Sequence, residues 1–145
     1  MEQEKISFVY PTLMREGMFA GGIYAPDLSM VIDRKEQKTP IAVTAGFLMK
    51  SVEMYVIEVE INAIDAPSPT EHSLSGHIQT KYIERIEDGG QLAVYTMLSE
   101  NADLSNDGFY RVIVRFYKTS NGEKIGNCLD EKDCFFYVSH KDSGE

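Results

Sequence analysis

The segment Tyr55-Val56-Ile57-Glu58-Val59-Glu60-Ile61-Asn62-Ala63-Ile64 repeats with a period of two. Tyr55, Ile57, Val59, Ile61 and Ala63 alternate with Val56, Glu58, Glu60 and Asn62. In an extended chain successive side chains point to opposite faces, so this pattern gives one apolar row and one glutamate-bearing row. A helix would scatter the same residues around its whole circumference. The segment is therefore a β-strand with a buried face and a wet face, with Glu58 and Glu60 on the wet side.

A second strand runs from Phe109 to Lys118, with Tyr110, Val112, Val114 and Phe116 as its core row. Thr119-Ser120-Asn121-Gly122-Glu123 follows, and Asn-Gly is the strongest short-range signal for a two-residue hairpin turn. Returning strand material is expected at Glu123 to Cys128 and Cys134 to Ser139, interrupted by the acidic stretch Leu129 to Asp133. Lys5 to Tyr10, Met18 to Tyr24, Leu28 to Asp33, Ile41 to Phe47 and Leu92 to Leu98 have strand composition bounded by Gly, Pro or charge. Ser75 to Ile86 fits strand or helix, and Leu48 to Met54 has room for a helical turn. About eight short strands at this spacing predict an all-β, two-sheet antiparallel sandwich, with one or two short helical turns allowed. With 145 residues and no internal linker, the chain reads as one domain over residues 1–139, followed by a frayed tail at 140–145.

Asn106-Asp107-Gly108-Phe109-Tyr110-Arg111-Val112 resembles the start of strand F in immunoglobulin-like sandwiches. There a glycine makes the turn and a tyrosine packs at the corner while its hydroxyl reaches backbone. Val112 stands where antibody domains carry their second cysteine, and the chain has no tryptophan, so the resemblance is to the wider architecture. The first half, with Glu16 to Tyr24 leading to Thr39 to Val43, is similar to small uncharacterised bacterial sandwich proteins. That similarity implies a bacterial or phage origin and carries no functional residue. Fold does not imply function.

The net charge of −9 repels phosphate backbones and anionic lipid, so nucleic acid and membrane surfaces are poor partners. The N-terminus is polar, and the longest apolar run, Ile41 to Met49, is far short of the roughly twenty residues of a membrane span. A cytoplasmic location is the expectation. Cys128 and Cys134 are then expected to be reduced thiols, and their spacing is a poor zinc signal.

Catalytic patterns fail one after another. His72 and His77 lie in or beside a loop and His140 in the tail, and no nucleophile elbow exists. His72, His77 and Glu71 read as solvated loop residues before they read as metal ligands. Asp103-Leu104-Ser105-Asn106-Asp107-Gly108 mimics the opening of a calcium loop, but its twelfth position would be Val114 inside a strand. It reads as an acidic turn. No metal site and no cofactor are expected, and no pattern amounts to an active site.

The best pointer to a partner is the second face of the strand at 109–118, made of Phe109, Arg111, Ile113, Arg115 and Tyr117. Apolar and aromatic residues interleaved with arginine are enriched at interfaces. Cys134-Phe135-Phe136-Tyr137-Val138 is apolar on both faces and would add to such a patch if adjacent. Either this face is covered intramolecularly, by the N-terminal segment or by Ser75 to Glu87, or it meets a protein partner, a second copy being the simplest. The expectation is a non-catalytic binding or assembly module acting through a sheet face or end loops such as Asp65–His72 and Glu100–Gly108. The alternative is an enzyme or small-ligand carrier whose site is built from loop acids.

Overall fold

A computed structural model describes residues 4–15, 17–18, 23–34, 39–51, 53–65 and 78–142. It contains eight strands: β1 (Lys5–Leu13), β2 (Ser29–Asp33), β3 (Thr39–Lys50), β4 (Tyr55–Ala63), β5 (Ile78–Arg85), β6 (Gly90–Ala102), β7 (Gly108–Ser120) and β8 (Glu123–Lys141). They form two four-stranded sheets, ordered β1-β3-β6-β5 and β2-β8-β7-β4. All pairings are antiparallel except that of β2 with β8, which is parallel. The expectation of wholly antiparallel sheets fails at that one pair. The chain enters β2 from β1 in the other sheet, and no hairpin joins β2 to β8, so no tight turn dictates its direction.

The alternating rows meet in one core. Ile41, Val43, Ala45, Phe47 and Met49 of β3 pack against Val112, Val114 and Phe116 of β7 and Ile57 of β4. The Phe47 and Phe116 rings meet edge to face across the layers, with centroids 5.3 Å apart. β3 is buried on both sides, which explains why Ile41 to Met49 reads as an almost unbroken apolar run. On its outward side Ala42, Thr44 and Gly46 are small, and at Gly46 the Phe8 ring fills the space where a Cβ would stand.

The Asn121-Gly122 turn forms as the sequence predicts. Ser120 pairs with Glu123, and both central residues have positive φ, 53° and 80°, which is the two-residue turn that Asn-Gly favours. The tyrosine at the start of β7 also behaves as expected. Tyr110 packs in the core while its hydroxyl donates to the Asn106 carbonyl (2.7 Å). The loop ahead of it is tied down further by Leu104, which plugs the core, and by His140. The His140 Nε2 faces the Leu104 carbonyl at 2.8 Å, and its Nδ1 meets the Asp107 carboxylate.

Several expectations are corrected. β8 is continuous from Glu123 to Lys141, so Leu129 to Asp133 is strand and not an acidic loop. Its charges sit opposite β7, with Glu131 across from Arg115, which makes a strand of what composition alone marks as a loop. The irregularity falls one step earlier. Phe116 pairs with Asp130 and Lys118 with Ile125, so four residues of β8 stand against Tyr117 alone. Such a bulge bends its strand. The second sheet is curled, and near the bulge the Ile6 amide of β1 donates to Asp130 Oδ2 (2.8 Å).

The tail does not fray at 140, because His140 and Lys141 pair with Ile32 and Asp33 and Asp142 bridges to Arg34 (2.9 Å). No helix occurs among the described residues, and hence none long and apolar enough to cross a membrane. The helical turn allowed at Leu48 to Met54 does not form over its first residues: β3 runs through Lys50, whose carbonyl accepts the Glu53 amide (3.4 Å), with Val52 outside the described residues. Ile23 and Tyr24 are not strand, and Phe19 to Gly22 lie outside the described residues. Of the ambiguous segment Ser75 to Ile86, the part from Ile78 to Arg85 is strand.

Candidate functional site

The register places the residues singled out at 109–117 on the outer face of the second sheet, and it divides them into two unlike halves. On the β4 side, Glu58 stands opposite Arg115 and Glu60 opposite Ile113; on the β8 side, Glu131 and Asp133 take the same positions. Ile113 is therefore flanked by carboxylates across both ladders and by arginines two residues away along its own strand. The result is an ion-pair lattice. Arg115 reaches Glu60 through Nη1 (3.0 Å) and Glu131 through Nε (2.8 Å), and Arg111 reaches Asp133 (2.8 Å). Lys124 bonds Glu58 and lies over the Tyr117 ring, 4.4 Å from its centroid.

Beneath this lattice Ile113 is only 1% exposed, although it lies outside the main core. Arginine stems cover apolar surface while their heads stay paired. The same closure overturns the wet-side expectation for Glu58 and Glu60, which are 7% and 3% exposed. Burial opposes the Arg115 charge, but the carboxylates of Glu60 and Glu131 outweigh it and hold the guanidinium firmly protonated.

The other half of the face is aromatic and open. Phe109 is 61% exposed and stands opposite Tyr137, with the rings edge to face at 5.0 Å. Phe135, 52% exposed, stands opposite Arg111. Val31 of β2 points outward between the buried Met30 and Ile32, and Ile64 is exposed beside Phe109, whose carbonyl accepts its amide (3.1 Å). Sequence reasoning reached Phe109 and the apolar character of Phe135 and Tyr137. It missed Val31 and Ile64, because only the parallel β2–β8 pairing and the end of β4 bring them alongside.

Among the described residues, two clefts stand out, the first bordering this face at Val31. One, of about 340 Å3, is lined by Leu13, Met14, Arg15, Val31, Asp33 and Lys141 among others, a mixed polar and apolar surface. The other, of about 240 Å3, lies between β4 and β6 and is walled by Met49, Met54, Tyr55 and Tyr95. At its rim the Tyr55 hydroxyl donates to Glu4 (2.6 Å) and accepts the Lys50 amide (2.9 Å).

Burial, and then the bond to Glu4, push the Tyr55 hydroxyl well above the usual tyrosine range, and burial raises Tyr110 and Tyr117 too. A raised pKa means that the folded chain holds these protons more tightly than the unfolded chain does. Below the ordinary value of 10.0 both states are protonated and stability is unaffected; above it the unfolded chain ionises first and stability falls. Urea midpoints should accordingly hold up to about pH 9 and drop as the pH rises through about 10 to about 11.5, and Tyr55→Phe should show a shallower drop than wild type. Equal slopes for the two proteins would show that Tyr55 is not among the groups responsible.

The remaining candidates resolve more simply. Both cysteines are free, Cys128 exposed and Cys134 half-buried, with burial raising the Cys134 thiol. Within Asp103 to Gly108, Asp103 accepts from the Ser105 amide (3.2 Å) and hydroxyl (2.8 Å), so its carboxylate closes a turn. Among the described residues no three His, Cys, Asp or Glu side chains cluster as metal ligands would. Glu71, His72 and His77 lie outside the described residues, as does the loop from Ala66.

Fold and face together define a class: an all-β protein of two packed sheets with an open aromatic surface on one of them. No protein-family model and no curated protein matches the chain.

Proposed function

We propose that this protein is a non-catalytic binding or assembly module, built on an immunoglobulin-like framework, that meets a protein partner through the outer face of β2-β8-β7-β4. The framework is supported by the strand order. In sequence-order letters, β1-β3-β6-β5 corresponds to A-B-E-D, and β8-β7-β4 to G-F-C, with β2 as an added strand beside G. Tyr110 fits the corner tyrosine of that architecture, two residues before Val112 and bonded to backbone upstream.

The contact role rests on one observation: three aromatic side chains, Phe109, Phe135 and Tyr137, stand open side by side on paired strands. Aromatic surface of this kind is stabilised by being covered, and clusters of it mark contact sites. The ion-pair lattice next to it would form the polar rim of the contact.

The test uses immobilised wild type, Phe109→Glu, and Ile83→Glu as an exposed control on β5, each exposed to an extract of the native host. Proteins held by wild type and by the control but lost from Phe109→Glu, and then rebound as purified components, support this face. Identical retention by all three baits would assign contacts to another surface.

A further inference from the structure

We infer that the partner of this aromatic face is a second copy of the chain, docked face to face about a two-fold axis, an assignment that rests on the contact role proposed above. Charge placement is the first reason. The chain carries −9, yet the lattice half of the face holds four carboxylates against three cations, all of them engaged with one another. The aromatic half adds the uncharged Phe109, Phe135, Tyr137, Val31 and Ile64. Nearly all of the excess negative charge therefore lies off this face. A basic partner, which the overall acidity would attract, finds few available carboxylates here. Two copies can approach on this side with their like charges held apart.

Area is the second reason. Three half-open aromatic rings with Val31 and Ile64 leave roughly 500 Å2 of apolar surface, near the upper limit for a monomer's largest patch. Burying it on two copies removes about 1,000 Å2, the low end for a specific interface, which fits a weak and reversible dimer.

Geometry is the third. A two-fold pairing is self-complementary, so the Phe109 and Phe135 edges of one copy meet those of the other. Two sheets with the same twist can also pack face to face at a small angle.

Sedimentation equilibrium of the purified full chain, from about 1 to about 500 µM, tests this over the affinities that such an area allows. Wild type should pass from monomer to dimer mass across that range. Phe109→Glu and Phe135→Glu should each raise the dissociation constant at least about tenfold, since each would bury a charge at the centre of the contact. Ile83→Glu should dimerise like wild type. Because the contact is apolar and close to neutral, the wild-type constant should change less than about threefold between roughly 50 and 500 mM salt.

Both aromatic positions are exposed, and unchanged circular dichroism establishes that the variants fold. Should one fail to fold, the other carries the comparison. A wild type that stays monomeric throughout, or aromatic variants that dimerise as wild type does, overturns the second-copy assignment. The contact face itself is then judged by the bait comparison, which can still succeed with a different protein.

Discussion

Arg115→Ala is expected to lower the free energy of unfolding by about 3 kcal/mol, measured by urea denaturation with circular dichroism. Its side chain is 19% exposed and holds a Glu60 side chain that is 1% exposed. Removing one member of a buried pair strands the other charge away from water, which costs about 3–5 kcal/mol when burial is complete. The partial exposure of Arg115 places the figure at the low end. Loss of its stem also opens the cover over Ile113. The double variant Glu60→Leu/Arg115→Leu removes both charges and should recover most of the loss, because an apolar pair of similar volume is close to neutral in such a site. An Arg115→Ala variant within about 0.5 kcal/mol of wild type would mean that the lattice is a loose surface network.

Phe116→Ala should cost about 3–5 kcal/mol, the range for removing a buried aromatic side chain. Phe116 is fully buried and joins the layers, with ring contacts to Phe47 at 5.3 Å and to Tyr55 at 5.6 Å. Neither neighbour can easily fill the space, since Phe47 is fixed on doubly buried β3 and the Tyr55 hydroxyl is held by Glu4 and Lys50. A domain with roughly 5–15 kcal/mol of total stability would lose a large share of it. Phe116→Leu keeps more of the volume and should cost about half as much. If both substitutions proved mild, the two sheets would have to be held together elsewhere.

Much of the fold was legible because its causes are local. The alternation in Tyr55 to Ala63 and in Phe109 to Lys118 needs only the pleat of an extended chain. Asn121-Gly122 needs only the tolerance of its two residues for positive φ. Tyr110 needs only a carbonyl four residues upstream.

The misreadings share the opposite property. Glu58 and Glu60 looked solvated because the cations that bury them lie 66 and 55 residues away, at Lys124 and Arg115. Leu129 to Asp133 looked like a loop because its acids have no local use, yet across the ladder they meet Arg111 and Arg115. His140 looked like part of a tail because nothing near it in sequence announces Leu104 and Asp107 as partners.

The candidate surface divides along the same line. That β7 carries a second face of aromatic and basic residues follows from alternation alone, as does its core row. Which of those residues are open depends on strand neighbours. Glu60 and Asp133 flank Ile113 and draw the arginines into the lattice above it, whereas Tyr137, Phe135 and Val31 extend the surface around Phe109. Side-chain period is a property of one strand, set by bond geometry. Exposure is a property of the sheet, set by which charges and rings the long-range pairing brings within reach.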